Sequence, residues 1–317
     1  MNNNAAAVFL ALNTLANGKE ILVSRGQLVE IGGSFRLPDI MLRAGAQLVE
    51  VGTTNRTRIS DYEAAISDET ALILRVHTSN FRIVGFTEEV PTAQLVELGQ
   101  RYGLAVMDDV GSGALVDMAQ FGLQGEPLVQ DSIRAGADVV AFSGDKLLGG
   151  PQCGLAVGRR ETIDAMAGNP IARALRIDKF TVSALESTLK LYADPEALPQ
   201  TIPTFRFIAR PLEDIHRAAK RLKRSITKSL PATIRLEIVD GFSEVGGGSL
   251  PGQHLPTKLL AISPAQLSAS DTAKAFRMNE PPIFGRVGEE RFLLDTRTVE
   301  DSEIPVIVHA ARQIFCD

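Results

Sequence analysis

One stretch of the sequence decides how the rest is interpreted: Phe142-Ser143-Gly144-Asp145-Lys146-Leu147-Leu148-Gly149-Gly150-Pro151-Gln152-Cys153-Gly154. The apolar runs 139–142 and 154–157 at its two ends are predicted to be strands. Lys146 therefore follows the end of a strand, which is where ligands bind in open α/β sheets. Ser143 offers a hydroxyl group for a phosphate, and Gly149-Gly150 permits a close approach of the backbone. A lone loop lysine is usually solvated, but this combination is typical of a lysine that forms a Schiff base with pyridoxal phosphate.

Short aliphatic runs alternate with amphipathic segments over the first part of the chain. Strands are predicted at 20–23, 47–51, 71–76, 104–108, 139–142 and 154–157, with helices that include 5–15, 61–67 and 92–102. Apolar strands separated by helices are typical of a parallel sheet that is covered on both faces. The predicted fold class is α/β, with a mostly parallel sheet and helices on both of its faces.

A break in the pattern separates a second, smaller region. The helix predicted at 180–192 is followed by the proline-containing stretch 193–199, and further prolines stand at 203 and 211. Beyond it we expect strands at 235–239, 258–263, 282–286 and 291–295, and helices at 212–229, 265–276 and 300–315. The sequence therefore predicts a large domain over residues 1–198 and a small C-terminal α/β domain over residues 199–317.

A lysine that binds this cofactor needs a carboxylate that keeps the pyridine nitrogen protonated, at the end of a buried strand. Asp109 directly follows the predicted strand 104–108, stands just before a glycine turn and precedes Lys146 by 37 positions. A turn aspartate is the alternative for Asp109 alone. A phosphate site is predicted at Asn3 and Asn4, which open the first helix, since helix N-termini bind phosphate; plain N-capping is the alternative there.

Composition narrows the classes of protein. With 44% hydrophobic and 22% charged residues among 317, the chain is typical of a globular protein. We find no run of 18 apolar residues and no positively charged segment before the apolar start, so neither a membrane helix nor a secretory signal is predicted. Two distant cysteines and four scattered histidines show no metal-ligand spacing, so a reducing cytoplasm and no metal site are expected.

The distribution of charge leaves two interpretations open. The net charge of −5 argues against a nucleic-acid-binding protein. Residues 159–228, however, contain 14 Lys and Arg against 8 Asp and Glu. This segment is either a solvated helical face or a surface that faces phosphate or an RNA backbone.

Taken together, several stretches resemble one enzyme family, the bacterial selenocysteine synthases, or L-seryl-tRNA(Sec) selenium transferases. The stretches are 2–8, Ser24-Arg25-Gly26-Gln27-Leu28-Val29-Glu30-Ile31-Gly32-Gly33, Val51-Gly52-Thr53-Thr54-Asn55-Arg56-Thr57, Val76-His77-Thr78-Ser79-Asn80, 109–113, 143–152, Gly248-Ser249-Leu250-Pro251 and 285–297. The resemblance implies a pyridoxal-phosphate enzyme of fold type I. Family members are longer at the N-terminus, so it also implies that this chain is a truncated form.

The resemblance implies a role for individual residues. Lys146 matches the Schiff-base lysine, Asp109 the partner of the pyridine nitrogen, and Asp145 an aspartate that assists proton transfer. Arg173 and Arg176 match arginines that hold the oxyanion of the selenium donor, and their spacing predicts one face of a helix. Of the remaining motif residues, His77 is expected to stack on the cofactor ring or orient the substrate, with a histidine satisfied by hydrogen bonds as the alternative. Arg25 and Glu30 are expected near the cofactor, and 53–56 at the rim of the site or a subunit interface.

The function implied is the conversion of seryl-tRNA(Sec) to selenocysteinyl-tRNA(Sec), by elimination of water and addition of selenium from selenophosphate. A related pyridoxal-phosphate lyase that acts on a small amino acid or amino sugar without tRNA is one alternative, and a non-catalytic remnant is another. A homo-oligomer built from dimers, up to a decamer, is implied as well. A nicotinamide-binding domain is not expected, since no Gly-x-Gly-x-x-Gly opens a helix after the first strand.

Overall fold

The computed structural model describes residues 1–32, 35–231, 233–264 and 266–316. Gly33, Ala265 and Asp317, each of which is the first or last residue of a stretch discussed above, lie outside these residues. Within them the helices are α1 (Asn4–Ala16), α2 (Leu37–Arg43), α3 (Ile59–Ala65), α4 (Thr92–Tyr102), α5 (Val129–Ala135), α6 (Arg160–Gly168), α7 (Ile171–Leu175), α8 (Lys179–Leu191), α9 (Leu198–Thr201), α10 (Pro203–Ala209), α11 (Leu212–Thr227), α12 (Ala269–Arg277) and α13 (Ile304–Cys316). The strands are β1 (Glu20–Ser24), β2 (Glu30–Ile31), β3 (Phe35–Arg36), β4 (Gln47–Val51), β5 (Thr70–Val76), β6 (Ala105–Gly111), β7 (Val139–Ser143), β8 (Gly154–Gly158), β9 (Arg235–Ser243), β10 (Leu255–Ser263), β11 (Arg286–Gly288) and β12 (Arg291–Asp295).

A six-stranded sheet with the order β4-β1-β5-β6-β7-β8 forms the centre of the first part of the chain. Five strands are parallel, and β8 runs antiparallel to β7. Successive side chains of a strand point to opposite faces, and β5 shows this directly. Its Leu72 and Leu74 pack in a core that includes the buried face of α1, whereas Ile73 packs on the other side with residues of α3 and α4. The predicted α/β fold, with helices on both faces of a mostly parallel sheet, is confirmed.

A four-stranded antiparallel sheet with the order β11-β12-β10-β9 forms the second sheet. Helix α11 buries Ile215, Leu222 and Ile226, which are spaced by one and two turns and therefore share a face. Leu222 and Ile226 lie in one core with Phe276 and Phe292, whose rings stack with centroids 4.8 Å apart. Apolar helix faces against one side of this sheet thus give the second part of the chain its own core.

Spatial proximity divides the chain into two units. One contains Met1–Thr204 and Gly246–Gln253, and the other contains Phe205–Val245 and His254–Asp317. The glycine-rich segment Gly246–Gln253 connects β9 to β10 and yet belongs to the first unit, which a single boundary in the sequence does not predict. The predicted domains, 1–198 and 199–317, remain a prediction.

Some predicted elements differ from the observed ones. The strand predicted at 282–286 is wrong, because β11 covers Arg286–Gly288 and the chain before it contains Pro281-Pro282, which has no backbone N–H to donate. The short helices α2, α5, α6, α9 and α10 were not expected, whereas α7 forms where the spacing of Arg173 and Arg176 predicts a helix. In the part of the chain that the structure describes, no helix is long and apolar enough to cross a membrane.

Candidate active site

The carboxyl ends of three neighbouring strands carry the predicted site. His77 directly follows β5, Asp109 lies near the end of β6, and Ser143 is the last residue of β7. Because these strands are parallel and adjacent in the sheet, their ends lie side by side. The backbone N–H of His77 donates to the Asp109 carbonyl at 2.9 Å, which fixes the first two residues to each other.

Lys146 lies on a tight connection between β7 and β8. The backbone N–H of Leu147 donates to the carbonyl of Ser112 at 3.0 Å, and Gly150 donates to Gly144 at 2.8 Å. The lysine is thereby held against the turn that follows Asp109. These bonds position the lysine backbone from both sides, as a covalent attachment site requires.

The glycine-rich loop Gly246–Gln253 contacts the lysine side chain. Gly248 has φ +86°, and a Cβ atom placed on it would lie 2.7 Å from Lys146 Nζ and 3.0 Å from its Cε. Any other residue at this position would force the end of the lysine side chain to move and would also be strained at this φ. Sequence analysis identified this glycine as part of a motif but did not place it beside Lys146.

Asp109 is a buried carboxylate in this site. It is 8% exposed, and its Oδ1 accepts a hydrogen bond of 2.8 Å from Asn4 Nδ2. Burial, assisted by the neighbouring charge of Asp108, raises the pKa of Asp109 to about 6, while Asn4 and Lys146 oppose the rise. Near neutral pH this side chain can therefore hold or release a proton with little cost.

Asp108 points to the opposite face of the sheet and has a different environment. It is fully buried and accepts two hydrogen bonds from Arg75 Nη1, at 3.0 and 3.2 Å. Thr92 and Ser132 donate to its Oδ2 at 2.9 and 2.7 Å. All these partners belong to the fold, so Asp108 stabilises structure, whereas Asp109 faces the site.

The N-terminal segment completes this edge of the site. Met1 pairs with Gly154 through two hydrogen bonds, of 2.7 Å from the terminal amine and 2.8 Å to the Met1 carbonyl. Asn3 caps α1 by accepting from Ala6 N at 2.8 Å. The side chain of Asn3 thus makes the N-cap bond, and Asn4 donates to Asp109. A role for either residue in phosphate binding remains a prediction.

Several buried polar atoms around Asp109 and Lys146 lack a hydrogen-bond partner among the described residues. They include Asn4 Oδ1, Ser112 Oγ, His77 Nε2 and Glu126 Oε1. Two of these atoms, His77 Nε2 and Glu126 Oε1, lie 3.6 Å apart, which is ion-pair distance if His77 is protonated, so the choice between a functional and a structural His77 remains a prediction. Buried polar groups are almost always paired in folded proteins, so a cluster without partners indicates a ligand.

Four further predicted residues differ in their exposure. Asp145, beside Lys146, is exposed, and Ser143 is buried. Arg25 forms an exposed ion pair with Glu50 at 2.8 Å, and Glu30 forms one with Arg36 at 2.7 Å.

The two arginines Arg173 and Arg176 do not share a helix face as predicted. Helix α7 ends at Leu175, and Arg176 has extended backbone with ψ 145°. Both side chains are exposed, and within the described residues no hydrogen bond or ion pair engages either guanidinium. Arg173 lines a cavity of about 580 Å³ that α1, β8 and α6 also line. The carbonyl of Leu175 accepts from Asn2 N at 2.9 Å, which places Arg176 beside the segment that carries Asn4.

Comparison with known proteins gives a clear family. The model of one family, L-seryl-tRNA selenium transferase, matches residues 1–300. The L-seryl-tRNA(Sec) selenium transferase of Geobacter sulfurreducens is 49% identical over 314 residues, which cover 99% of this chain and 68% of the relative. That of Geotalea daltonii is 52% identical over 314 residues, with the same coverage. The chain belongs to the L-seryl-tRNA selenium transferase family. It spans about two thirds of the length of these relatives.

The solved structure of a D-glucosaminate-6-phosphate ammonia-lyase has the same fold. It matches with a TM-score of 0.66 and 21% identity, over 99% of this chain and 80% of that chain. At this identity the likeness concerns the fold alone. It agrees with the α/β fold that the resemblance to the transferase family implies.

Two residues of this selenium transferase family member were missed as site residues by sequence analysis. Gly248 is 102 positions from Lys146, and only the three-dimensional fold brings them together. Glu126 lies in a loop without periodicity, and its buried carboxylate has no signature in a single sequence. For Gly248 a signal existed, since three consecutive glycines at 246–248 are unusual between two strands.

Proposed function

We propose that this chain converts seryl-tRNA(Sec) to selenocysteinyl-tRNA(Sec), with pyridoxal phosphate as cofactor and selenophosphate as selenium donor. The observation that carries the proposal is Lys146 beside the buried Asp109, in a chain of this family. The printed names of relatives that are about half identical to the chain supply the reaction. We also propose a cytoplasmic location, which the two proposed substrates, tRNA and selenophosphate, support.

The residues present fit the proposed cofactor. Lys146 has an amine for covalent attachment, and Asp109 has a buried carboxylate for the pyridine nitrogen. The unpartnered atoms Asn4 Oδ1, Ser112 Oγ and His77 Nε2 offer hydrogen-bonding groups to a polar ligand. Ser143 and the start of α1 are the proposed phosphate site, since a hydroxyl and a helix N-terminus both suit an anion.

The proposed chemistry divides between the cofactor and this chain. Pyridoxal phosphate, when bound, takes up the electron pair that remains when an amino acid loses its Cα proton. Asp109 holds a proton at the pyridine nitrogen, and its pKa of about 6 suits that task. Lys146 accepts the Cα proton once the amine of the substrate has taken its place. Asp145 donates a proton to the leaving hydroxide, which is otherwise a poor leaving group.

Arg173 and Arg176 are the proposed site for selenophosphate. Guanidinium groups bind phosphate-like oxyanions through two parallel hydrogen bonds. Support comes from their exposure and from the absence, within the described residues, of any carboxylate that neutralises them. The extended backbone at Arg176 leaves the two side chains on separate elements, so they can approach an anion from two directions.

We also propose that the chain forms a homo-oligomer built from dimers, with the decamer as the largest form. Helix α8 has no buried residue, and its Phe180 is 81% exposed. Val182 and Leu189 of this helix are exposed as well, and exposed apolar side chains on one helix are typical of a surface that associates. Neither alternative function is favoured: the lyase resemblance concerns the fold alone, and the unpartnered polar site argues against a non-catalytic remnant.

The test is replacement of Lys146 by alanine, with Lys179→Ala on exposed α8 as the matched control. Purified proteins are incubated with pyridoxal phosphate, reduced with borohydride and digested, and the modified peptide is identified by mass. Wild type and the control should carry the cofactor on Lys146 and form selenocysteinyl-tRNA from seryl-tRNA and selenophosphate, and Lys146→Ala should do neither. Cofactor attached elsewhere in wild type, or unchanged activity in Lys146→Ala, would overturn the proposal.

A further inference from the structure

Glu126 is a buried carboxylate that the proposed reaction does not use. Its side chain is only 1% exposed, and its Oε1 has no hydrogen-bond partner among the described residues. It lies between the short helical turn Met118–Phe121 and α5. Burial of a carboxylate is costly unless its partners compensate for lost hydration. The partners that Glu126 does have therefore indicate its role.

The other oxygen of Glu126 binds the glycine-rich loop Gly246–Gln253. Oε2 accepts a hydrogen bond of 3.2 Å from the backbone N–H of Leu250. Leu250 has φ 52°, a left-handed conformation that is strained for a leucine, so the loop needs an external contact to keep this shape. Two residues before Leu250 stands Gly248, whose Cα faces the amine of Lys146.

The other oxygen of Glu126, Oε1, points toward His77. Glu126 Oε1 lies 3.6 Å from His77 Nε2, which is outside hydrogen-bond distance but within ion-pair distance if His77 is protonated. His77 is itself fixed to Asp109 by the 2.9 Å bond from its backbone N–H. One carboxylate therefore faces both the loop that contacts Lys146 and the strand end that neighbours Asp109.

We propose that Glu126 is a positioning residue that holds the loop 246–253 against Lys146, so that Gly248 keeps the amine oriented for attachment of the cofactor. The role rests on the proposed function of Lys146. Glu126 acts through the backbone N–H of Leu250 and does not itself touch the amine. The oxygen acceptor, and not the negative charge, is the essential feature.

Three variants separate these features. Glu126→Ala removes the acceptor, Glu126→Asp keeps the charge but shortens the side chain by one methylene, and Glu126→Gln keeps an acceptor of the same length. Glu97→Gln, at an exposed position on α4, is the matched control. Two quantities are measured on the full chain: amide hydrogen exchange of the peptide that covers 246–253, without cofactor, and the rate at which pyridoxal phosphate attaches to Lys146, by borohydride trapping.

We expect Glu126→Ala to raise loop exchange and to slow attachment at Lys146, each by at least about tenfold, because the hydrogen bond that holds the backbone of Leu250 is lost. Glu126→Asp should change both in the same direction by at least about threefold, since its oxygen no longer reaches Leu250. Glu126→Gln and the control should stay within about twofold of wild type, and the exchange of β5 and β6 peptides should not change in any variant.

Two results overturn the inference: loop exchange and attachment in Glu126→Asp equal to wild type, or a Glu126→Gln protein as impaired as Glu126→Ala. If Glu126→Ala does not fold, Glu126→Asp and Glu126→Gln decide alone. If wild type fails to attach the cofactor at Lys146, the proposed function fails, and the exchange measurement still decides whether Glu126 anchors the loop.

Discussion

Replacement of Asp109 by asparagine is expected to stabilise the cofactor-free protein while it removes the group proposed to hold the pyridine nitrogen proton. An exposed aspartate has a pKa of 3.8, and burial raises the pKa of Asp109 to about 6. The folded state therefore binds the proton more tightly than the unfolded state. Stability from this group is fully present below about pH 4 and is lost as the pH rises through about 6.

The size of the effect follows from these two pKa values. With the carboxylate ionised in both states, the difference corresponds to about 3 kcal/mol of unfolding free energy. At pH 5, where the folded state is still mostly protonated, the deficit is about 1.6 kcal/mol. Asparagine has no charge to bury, and its side-chain oxygen can still accept from Asn4. The stability advantage of Asp109→Asn over wild type should therefore grow by about 1.4 kcal/mol between pH 5 and pH 8.

Urea unfolding of the cofactor-free proteins at pH 5 and pH 8 measures this growth. The matched control is Asp164→Asn, at an exposed position on α6, which should stay within about 0.5 kcal/mol of wild type at both pH values. Asp109→Asn should also be inactive in the proposed reaction, because a residue that lowers the stability of the folded protein is typically retained for activity. A stability difference between Asp109→Asn and wild type that is the same at pH 5 and pH 8 would refute the reasoning. It would mean that folding does not raise the pKa of Asp109.

Two further changes test the surroundings of the site. Asp108→Ala should lower the unfolding free energy by about 3 to 5 kcal/mol, since it leaves Arg75 buried without its partner. Thr92→Val removes one hydrogen bond to the same carboxylate and should lower it by about 1 kcal/mol. Equal urea midpoints for the two variants would contradict this. Gly248→Ala should slow attachment of pyridoxal phosphate to Lys146 by at least about tenfold. Gly246→Ala is the steric control, because its added methyl group meets no atom within 4 Å. Equal attachment rates in the two variants would show that Gly248 does not constrain the amine.

The sequence predicts the first sheet well, for a physical reason. Strands β1 and β5 have continuous aliphatic centres that are largely buried, and the bounds of β4 and α4 are those predicted. A strand buried on both faces leaves little choice of sequence. Helices such as α6 and α7 are short and mostly exposed, so their stability comes from packing and not from a periodic pattern that a sequence reader can recognise.

The site residues likewise include some that the sequence predicts and some that it does not. Lys146 and Asp109 follow strand ends, so a prediction of the strands also brings these residues together. Glu126 and Gly248 lie on loops whose paths depend on tertiary contacts, such as the bond from Leu250 N to Glu126. Arg176 is a further position that the sequence does not place. The end of α7 separates it from Arg173, and the two residues between them do not predict that the helix ends there.

The adjacent aspartates show why both kinds of information are needed. In the sequence, Asp108 and Asp109 are adjacent acids at the end of one apolar run. Their positions differ by a single residue, so position alone hardly distinguishes which of the two belongs to the site. Strand alternation sends them to opposite faces. Asp108 then meets Arg75 and two hydroxyl groups, which satisfy it, whereas Asp109 meets the amide of Asn4, the backbone of Gly111 and the charge of Lys146, which do not offset its burial. The acid that the fold leaves incompletely paired is the one whose pKa is raised toward neutrality, and an incompletely paired buried acid is stable in the folded protein only because the rest of the sheet compensates for its cost. The same reasoning applies to Glu126, and it is the reason that we look for function at both residues and not at Asp108.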